Sequence, residues 1–322
     1  MYWVMRVARK VDWSISALRF LAMALIVATH LCQLYDLGIA WWLNSAVQVF
    51  LFISGWLFGS RPNIDGARKW LGKRFLRICV PFWILGLFLL LADVLFVPEK
   101  LSVKNALLAL FCLRSGYMPN GTHLWYISVM LLCYLLTPVL SYMWKRWRLV
   151  SMVALAALLV FVGNHIVPNG IWCVDYIAGF ALARIVRDGR SEVKVLRWTA
   201  IACGGGCLFA VALWYFGLCS PYKLLHFLAG PFCFAVLRLA LGLAAFTPSV
   251  SMRRILEWGD NYSYEVYLVH QIVILGDFSL SLVFPDNPVA VVAGAIVWSI
   301  ATALILHSLS GLVYERIDVL RN

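Results

Sequence analysis

Residues 14–35 read SISALRFLAMALIVATHLCQLY, and this stretch determines how the rest of the chain is interpreted. It is long enough to cross a bilayer, which requires about 20 mostly apolar residues. Its two strongly polar members, Arg19 and His30, are separated by about three helical turns and by roughly 16 Å along the axis. The segment therefore predicts a membrane-spanning helix that carries an arginine and a histidine on one face.

Apolar segments of this kind recur along the whole sequence, which is 63% hydrophobic and only 13% charged. A soluble domain carries roughly a quarter charged residues, and no stretch between the apolar segments is long enough for a separate soluble domain. We predict a single all-α, polytopic membrane domain over residues 1–322 with about ten transmembrane helices. The predicted spans are 14–35, 41–60, 74–97, 122–143, 149–163, 171–187, 198–217, 223–246, 262–283 and 289–313.

Most of the basic residues that give the chain its net charge of +12 lie in the loops between these spans. When the loops are assigned alternately to the two sides, one side receives the basic clusters at 6–10, 61–77, 145–148, 184–197 and 253–254. The other side receives only Lys100, Lys104, Arg114 and Lys223. Because basic loops stay in the cytoplasm, we predict that both termini are cytoplasmic. The basic charge is therefore a topology signal for a multi-pass protein surrounded by membrane lipids, and it does not imply nucleic acid.

Polar residues inside spans are expensive and are therefore functional candidates. Arginine binds phosphate well, and histidine can act as a general base near neutral pH. Arg19 and His30 thus suit a long phosphorylated donor, or else Arg19 reaches the headgroups and His30 only makes a helix contact. Arg74 and Arg77 share a helix face and either anchor the topology or bind a nucleotide.

Further candidates lie at the fourth and ninth spans. His123, Trp125 and Tyr126 form an aromatic-rich outer end that suits a sugar or an ordinary interfacial belt. Glu265, in the same span as His270, is a supporting candidate that either balances a buried arginine or takes part in catalysis. No Cys-x-x-Cys pair or Cys/His spacing indicates a metal site.

Together these segments resemble acyltransferase family 3, the integral-membrane O-acyltransferases of bacteria. The resemblance runs from about Asp12 to the end of the last span. Its motifs are Arg19–FLAMALIVAT–His30, FLFISG at 50–55, Arg74 with Arg77, PFW at 81–83, HLWY at 123–126 and SYEVYLVH at 263–270. Two features depart from the family pattern. Gln48 stands near the place of a frequent acidic residue, and we expect no soluble hydrolase-like domain after the tenth span.

The resemblance implies transfer of an acyl group from cytoplasmic acyl-CoA, with acetyl-CoA the expected donor, to an envelope carbohydrate or lipid-linked glycan. It implies donor phosphates at Arg19, Arg74 and Arg77, with His30 at the thioester. His30 would either activate the acceptor hydroxyl or briefly carry the acyl group. The alternative is a transporter or exporter of a lipid-linked sugar or small envelope precursor without acyl-transfer chemistry.

The loop charges make the topology testable. A reporter fused after residue 110 should report the outer side of the membrane, and a reporter fused after residue 65 should report the cytoplasm, because the basic loops remain inside. Alkaline phosphatase and fluorescent-protein activities of the two fusions measure this. The reverse pattern would place the arginines away from the cytoplasm and remove the basis for a cytoplasmic donor.

Overall fold

The computed structural model describes residues 11–61, 66–218 and 222–319, so the predicted basic cluster at 6–10 lies outside the described residues. Within these ranges the chain is helical and contains no β-strand. The helices are α1 (Trp13–Leu34), α2 (Ala40–Leu43), α3 (Ala46–Gly59), α4 (Ala67–Phe96), α5 (Val103–Leu110), α6 (Trp125–Ile166), α7 (Cys173–Arg187), α8 (Glu192–Tyr215), α9 (Tyr222–Ala240), α10 (Val250–Val269) and α11 (Pro288–Val319).

Seven helical segments within the described ranges are long and apolar enough to cross a membrane. The all-helical, multi-pass prediction is therefore confirmed, whereas the count of ten spans stays a prediction. The three other predicted spans are the second half of α6, the 15-residue α7 and α10. The orientation of the termini also stays a prediction.

Helix α6 is too long for a single crossing. Its 42 residues would extend for about 63 Å, twice the thickness of a hydrocarbon core of about 30 Å. Arg148 interrupts the helix with a φ of 48° and a ψ of −132°, which breaks the regular helical backbone. The element therefore consists of two helices that meet at Arg148, between the predicted spans 122–143 and 149–163.

The predicted ninth span, 262–283, is wrong at both ends. Helix α10 begins at Val250, where the Ser249 side chain accepts a hydrogen bond from the Met252 amide as an N-cap does. It ends at Val269, and the following residues form short 3-10 turns with Gly276 at a φ of 88°. The first half of α10 is polar and lowers the mean hydropathy of the helix, so apolar runs in the sequence do not indicate where the helix begins.

Glycines allow α3 and α7 to pack at backbone distance. Gly55 and Gly59 are four residues apart on α3 and face α7, while Gly179 of α7 faces α3. A Cβ atom at Gly55 would lie closer than 3.0 Å to the backbone of Tyr176 and Phe180. Small residues at this spacing let membrane helices approach closely. The resulting van der Waals packing stabilises the helix pair, because lipid provides no hydrophobic effect between helices.

A buried arginine ties three helices together. Arg238 of α9 is 3% exposed, and its guanidinium lies 2.9 Å from the Asp12 carboxylate and 2.5 Å from that of Glu192. It also donates to the Ser14 hydroxyl at 2.6 Å. Burial raises the pKa of Asp12, but the hydrogen bond and charge of Arg238, with bonds from Ser14 and Ile15, outweigh it and lower the pKa overall. The network fixes the beginning of α1 against α8 and α9.

The glycine contact between α3 and α7 predicts a local effect on stability. Gly55→Leu should destabilise the protein by about 1–3 kcal/mol or more, because the side chain must displace the backbone of α7. Gly205→Leu is the matched control, since a Cβ atom at this glycine of α8 meets nothing within 4 Å. Thermal unfolding of the two variants in detergent measures the difference, and equal melting temperatures would contradict the packing argument.

Candidate active site

The α1–α10 contact brings the polar residues of both helices together. A guanidinium nitrogen of Arg19 lies 2.6 Å from an Asp260 carboxylate oxygen, and the neighbouring Gly259 leaves room for the ring of Phe20. Further along the same two helices, the ring centroids of His30 and His270 are 5.1 Å apart. Arg19 and His30 therefore both face α10, as their spacing in the sequence predicted.

Arg19, Arg74 and Arg77 line one cavity of about 340 Å³, which we call the arginine cavity. This volume lies within the range of about 300–1,000 Å³ that is usual for small-molecule sites. Helix α4 contributes Arg74 and Arg77 from near its beginning, and Arg61 follows α3. The remaining polar lining includes Asp260, Glu265, His307 and tyrosines 126, 134, 264, 267 and 314.

The arginine cavity carries an excess of positive charge. Its four arginines face two carboxylates, and the carboxylate of Asp260 is already paired with Arg19. In the part of the chain that the structure describes, Arg74 and Arg77 form no ion pair with a carboxylate. Arg74 instead lies over the rings of Phe58 and Trp70, 5.2 and 5.9 Å from their centroids. Guanidinium groups held this way suit a phosphate, which accepts charge-assisted hydrogen bonds.

Glu265 requires a correction. It is 6% exposed, and its carboxylate lies 2.9 Å from His307 Nδ1. The buried Arg238 is balanced by Asp12 and Glu192 instead, so Glu265 is not the ion-pair partner of that arginine. The sequence-based prediction gives His307 no role, although a single histidine in the apolar helix α11 is a signal for a polar contact.

Three histidines form a second group, the histidine cluster. The ring of His270 lies 5.1 Å from that of His30 and 5.4 Å from that of His123, measured between centroids. His270 is fully buried and His123 is 4% exposed. The cluster joins the beginning of α6, the end of α10 and the last third of α1, so residues from three predicted spans meet at one point.

Carbonyl oxygens determine which ring nitrogen carries the proton in each histidine. His30 Nδ1 lies 2.7 Å from Gln33 Oε1, His270 Nδ1 lies 2.8 Å from the Tyr267 carbonyl, and His123 Nε2 lies 2.9 Å from the Leu268 carbonyl. A carbonyl oxygen only accepts, so each of these nitrogens donates and the opposite nitrogen of a neutral ring keeps a lone pair. His30 Nε2 is therefore the nitrogen available for chemistry.

Gln33 holds the position of an orienting partner for His30. In the family pattern, a carboxylate partner for His30 would come from the second span, where this chain has Gln48. Gln48 packs against Gly230 of α9, whereas the side chain that contacts His30 comes from its own helix, one turn later. A spacing of three residues on a helix brings two side chains together, so the pair was detectable in the sequence.

A second cavity has a volume of about 400 Å³. Its lining includes Asn120, Thr122 and Gln271, and we call it the amide cavity. Thr122 immediately precedes His123 and Gln271 immediately follows His270. In the opposite direction, Tyr126 and Tyr267 line the arginine cavity. Along the chain, His123 and His270 therefore fall between residues that line the amide cavity and residues that line the arginine cavity, although none of the three clustered histidines lines either cavity.

The two cavities lie toward opposite ends of α4. Arg74 and Arg77 belong to the beginning of this helix, while Lys100, in the lining of the amide cavity, follows its end. The 30 residues of α4 extend for about 45 Å, more than the hydrocarbon thickness of about 30 Å. The arginine cavity and the amide cavity therefore lie toward opposite ends of a helix that is long enough to cross a membrane.

The predicted aromatic sugar mouth of His123, Trp125 and Tyr126 is not formed as a unit. Tyr126 faces the arginine cavity, His123 belongs to the histidine cluster, and neither His123 nor Trp125 lines either cavity. Successive residues of a helix point in different directions, so the three side chains separate. In the described residues, no three His, Cys, Asp or Glu side chains are grouped as a metal site would require.

Seven helical segments in the described residues that could cross a membrane, with a buried polar cluster among the helices, define a multi-pass membrane protein with a candidate site inside its helix bundle. The family model of acyltransferase family 3, described as an acyltransferase domain, matches residues 12–308, and the chain belongs to this family. It is accordingly an acyltransferase of groups other than aminoacyl groups, with an acyl donor and an acceptor as substrates. Neither a curated protein nor a solved structure matches the chain.

Proposed function

We propose that the protein is an inner-membrane O-acyltransferase that moves an acyl group, with acetyl expected, from cytoplasmic acyl-CoA to an envelope carbohydrate or lipid-linked glycan. The acceptor hydroxyl is taken at or near the outer face. The observation that carries this proposal is a cluster of histidines whose chain neighbours line a cationic cavity on one side and, on the other, a polar cavity whose two charged residues are paired with each other. Family membership supplies the acyl-transfer chemistry.

The arginine cavity suits the nucleotide end of the donor. Coenzyme A carries several phosphates, and arginine recognises phosphate through parallel hydrogen bonds as well as charge. Arg74 and Arg77 have no carboxylate partner in the described residues, so a phosphate does not have to displace one. Arg19 is already bound to Asp260, but a guanidinium has five donors and can contact a phosphate without leaving Asp260.

The remainder of the donor would follow α1 toward His30. Ile26 lines the arginine cavity, and His30 is about one helical turn further along the same helix. An extended arm that leaves the phosphates beside Arg19 would therefore bring its thioester toward the histidine cluster. Binding energy from the phosphates then positions the reacting carbonyl, which is how remote contacts contribute to rate.

In direct transfer, His30 Nε2 takes the proton of the acceptor hydroxyl as the hydroxyl oxygen bonds to the thioester carbonyl carbon. The carbon–sulfur bond then breaks, and the departing thiolate receives the proton from His30. In the covalent route, Nε2 itself bonds to the carbonyl carbon and the thiolate leaves. In a second step the acceptor oxygen bonds to the carbonyl carbon and displaces the imidazole, and the hydroxyl proton passes by way of the freed Nε2 to the thiolate. Both routes need the lone pair on Nε2 that the Nδ1–Gln33 hydrogen bond provides.

Gln33 is the positioning residue in both routes. An orienting acceptor on Nδ1 fixes the tautomer and the ring plane of a catalytic histidine, which a carboxylate does in catalytic triads. An amide performs the same task without a negative charge, so it stabilises an imidazolium less than a carboxylate does. The exporter alternative requires none of this geometry, and membership of an enzyme family does not support it.

The donor site is tested by removing its unpaired arginines. Arg74→Ala and Arg77→Ala should each weaken acetyl-CoA binding by about 10- to 100-fold, because a charge-assisted contact contributes about 1.5–3 kcal/mol. Calorimetric titration of the protein in detergent measures the affinity. Arg254→Ala is the matched control, since Arg254 is exposed and lines neither cavity. Unchanged affinity in the double variant would leave Arg74 and Arg77 as topology anchors only.

The reaction itself is tested at His30 and Gln33. His30→Ala should lower glycan-dependent acetyl-CoA turnover by about 10²–10⁴-fold or more, the contribution of a general base, while acetyl-CoA still binds. Gln33→Leu should lower kcat, and Gln33→Glu should restore it because the acceptor on Nδ1 is retained. Thiol release by the purified protein with candidate glycans measures turnover.

The matched control is His165→Ala, since His165 is exposed at the end of α6. His307 does not serve as a control, because it lines the arginine cavity. Wild-type turnover in His30→Ala would remove the catalytic role of this histidine. Equal kcat values in Gln33→Leu and Gln33→Glu would remove the positioning role of Gln33.

A further inference from the structure

The amide cavity contains a buried acceptor atom without a donor. Gln271 is 7% exposed and donates from Nε2 to the Thr122 hydroxyl at 3.0 Å. Its Oε1 atom has no hydrogen-bond partner among the described residues. Buried polar atoms are almost always satisfied. Because Gln271 lines the amide cavity, its unpartnered carbonyl oxygen is the candidate acceptor for a hydrogen bond from a ligand.

The charged residues of the amide cavity neutralise each other. Lys100 Nζ lies 2.6 Å from the Asp277 carboxylate, and this hydrogen bond raises the pKa of Lys100 and lowers that of Asp277, so both stay ionised near neutral pH. Asn120 accepts from the Asp277 amide at 2.7 Å and donates to Asp93 at 3.0 Å. What remains for a ligand is a set of amide and hydroxyl groups that both donate and accept.

This chemistry favours one class of ligand. An anion would meet Asp277 and a cation would meet Lys100, and neither would gain the excess of opposite charge that the arginine cavity offers. A ligand with many uncharged hydroxyl groups can donate to Gln271 Oε1 and exchange hydrogen bonds with Thr122. Thr122 and Gln271 are the chain neighbours of His123 and His270, so the wall of this cavity is joined directly to the backbone of two of the clustered histidines.

We propose that the amide cavity is the acceptor subsite, that it binds a neutral carbohydrate, and that Gln271 Oε1 accepts a hydrogen bond from one of its hydroxyl groups. This inference rests on the proposed function for the reaction that follows binding. It adds the residues that recognise the acceptor and the charge class of that acceptor. Gln271 is a specificity residue in this arrangement, while His30 remains the group at the reacting atoms.

Binding is measured without turnover in His30→Ala protein, by calorimetric titration with neutral tetrasaccharides of glucose and of N-acetylglucosamine and with an acidic tetrasaccharide of galacturonate. At least one neutral tetrasaccharide should bind more tightly than the acidic one. Gln271→Leu should weaken that binding by about tenfold or more, the effect of one lost hydrogen bond of about 1.4 kcal/mol. Thr122→Val should weaken it in the same direction.

Two controls accompany the titration. Asn105→Leu, on α5 and in neither cavity lining, should leave the affinity for the neutral tetrasaccharide unchanged. Acetyl-CoA affinity should stay unchanged in Gln271→Leu and Thr122→Val, which shows that both variants are folded. Failure of all neutral tetrasaccharides to bind, tighter binding of the galacturonate tetramer, or equal affinity in Gln271→Leu would overturn the inference.

The same proteins separate this inference from the function on which it rests. If the neutral glycan binds through Gln271 but wild-type protein consumes no acetyl-CoA in its presence, the proposed reaction fails and the subsite stands. If wild-type protein acetylates the glycan and Gln271→Leu does so with an unchanged KM for the glycan, the reaction stands and the subsite fails.

Discussion

The contact between α1 and α10 is the interaction on which the site depends. It pairs Arg19 with Asp260 at one level and brings His30 against His270 at another. Polar groups inside a membrane helix persist only when they find partners or a polar cavity, and here each helix supplies the partners of the other. Gly259 lets Phe20 approach α10 closely, so the polar contacts form on a closely packed helix pair. The arginine cavity and the histidine cluster both adjoin this interface.

Much of the site was accessible from the sequence because it depends on local spacing. The common face of Arg19 and His30 and that of Arg74 and Arg77 follow from helical periodicity alone. Hydropathy located most of the spans because apolar runs are the dominant signal in a membrane protein. It failed at α10, whose polar first half is stabilised by the Ser249 cap and by contacts with other helices.

The remaining features depend on how separate helices meet, which spacing does not encode. Glu265 and His307 are on different helices, and the sequence around each residue does not indicate that the two side chains are in contact. The separation of His123 from Tyr126 into the cluster and the arginine cavity also depends on how α6 is rotated in the bundle. By contrast, the His30–Gln33 pair is local and follows from helical spacing, but an amide is a less obvious partner for a catalytic histidine than a carboxylate is.

The position of the two cavities toward opposite ends of α4 has an electrical consequence. In the proposed reaction the phosphates of the donor remain at the arginines, while an acyl group passes the histidine cluster toward the acceptor and the hydroxyl proton passes toward the donor thiolate. Moving one charge through a membrane potential involves about 2.3 kcal/mol per 100 mV, but the exchange of an acyl group for a proton between two neutral groups moves no net charge. The membrane voltage would therefore neither drive nor oppose the transfer, and the rate would follow the supply of donor and acceptor on the two sides.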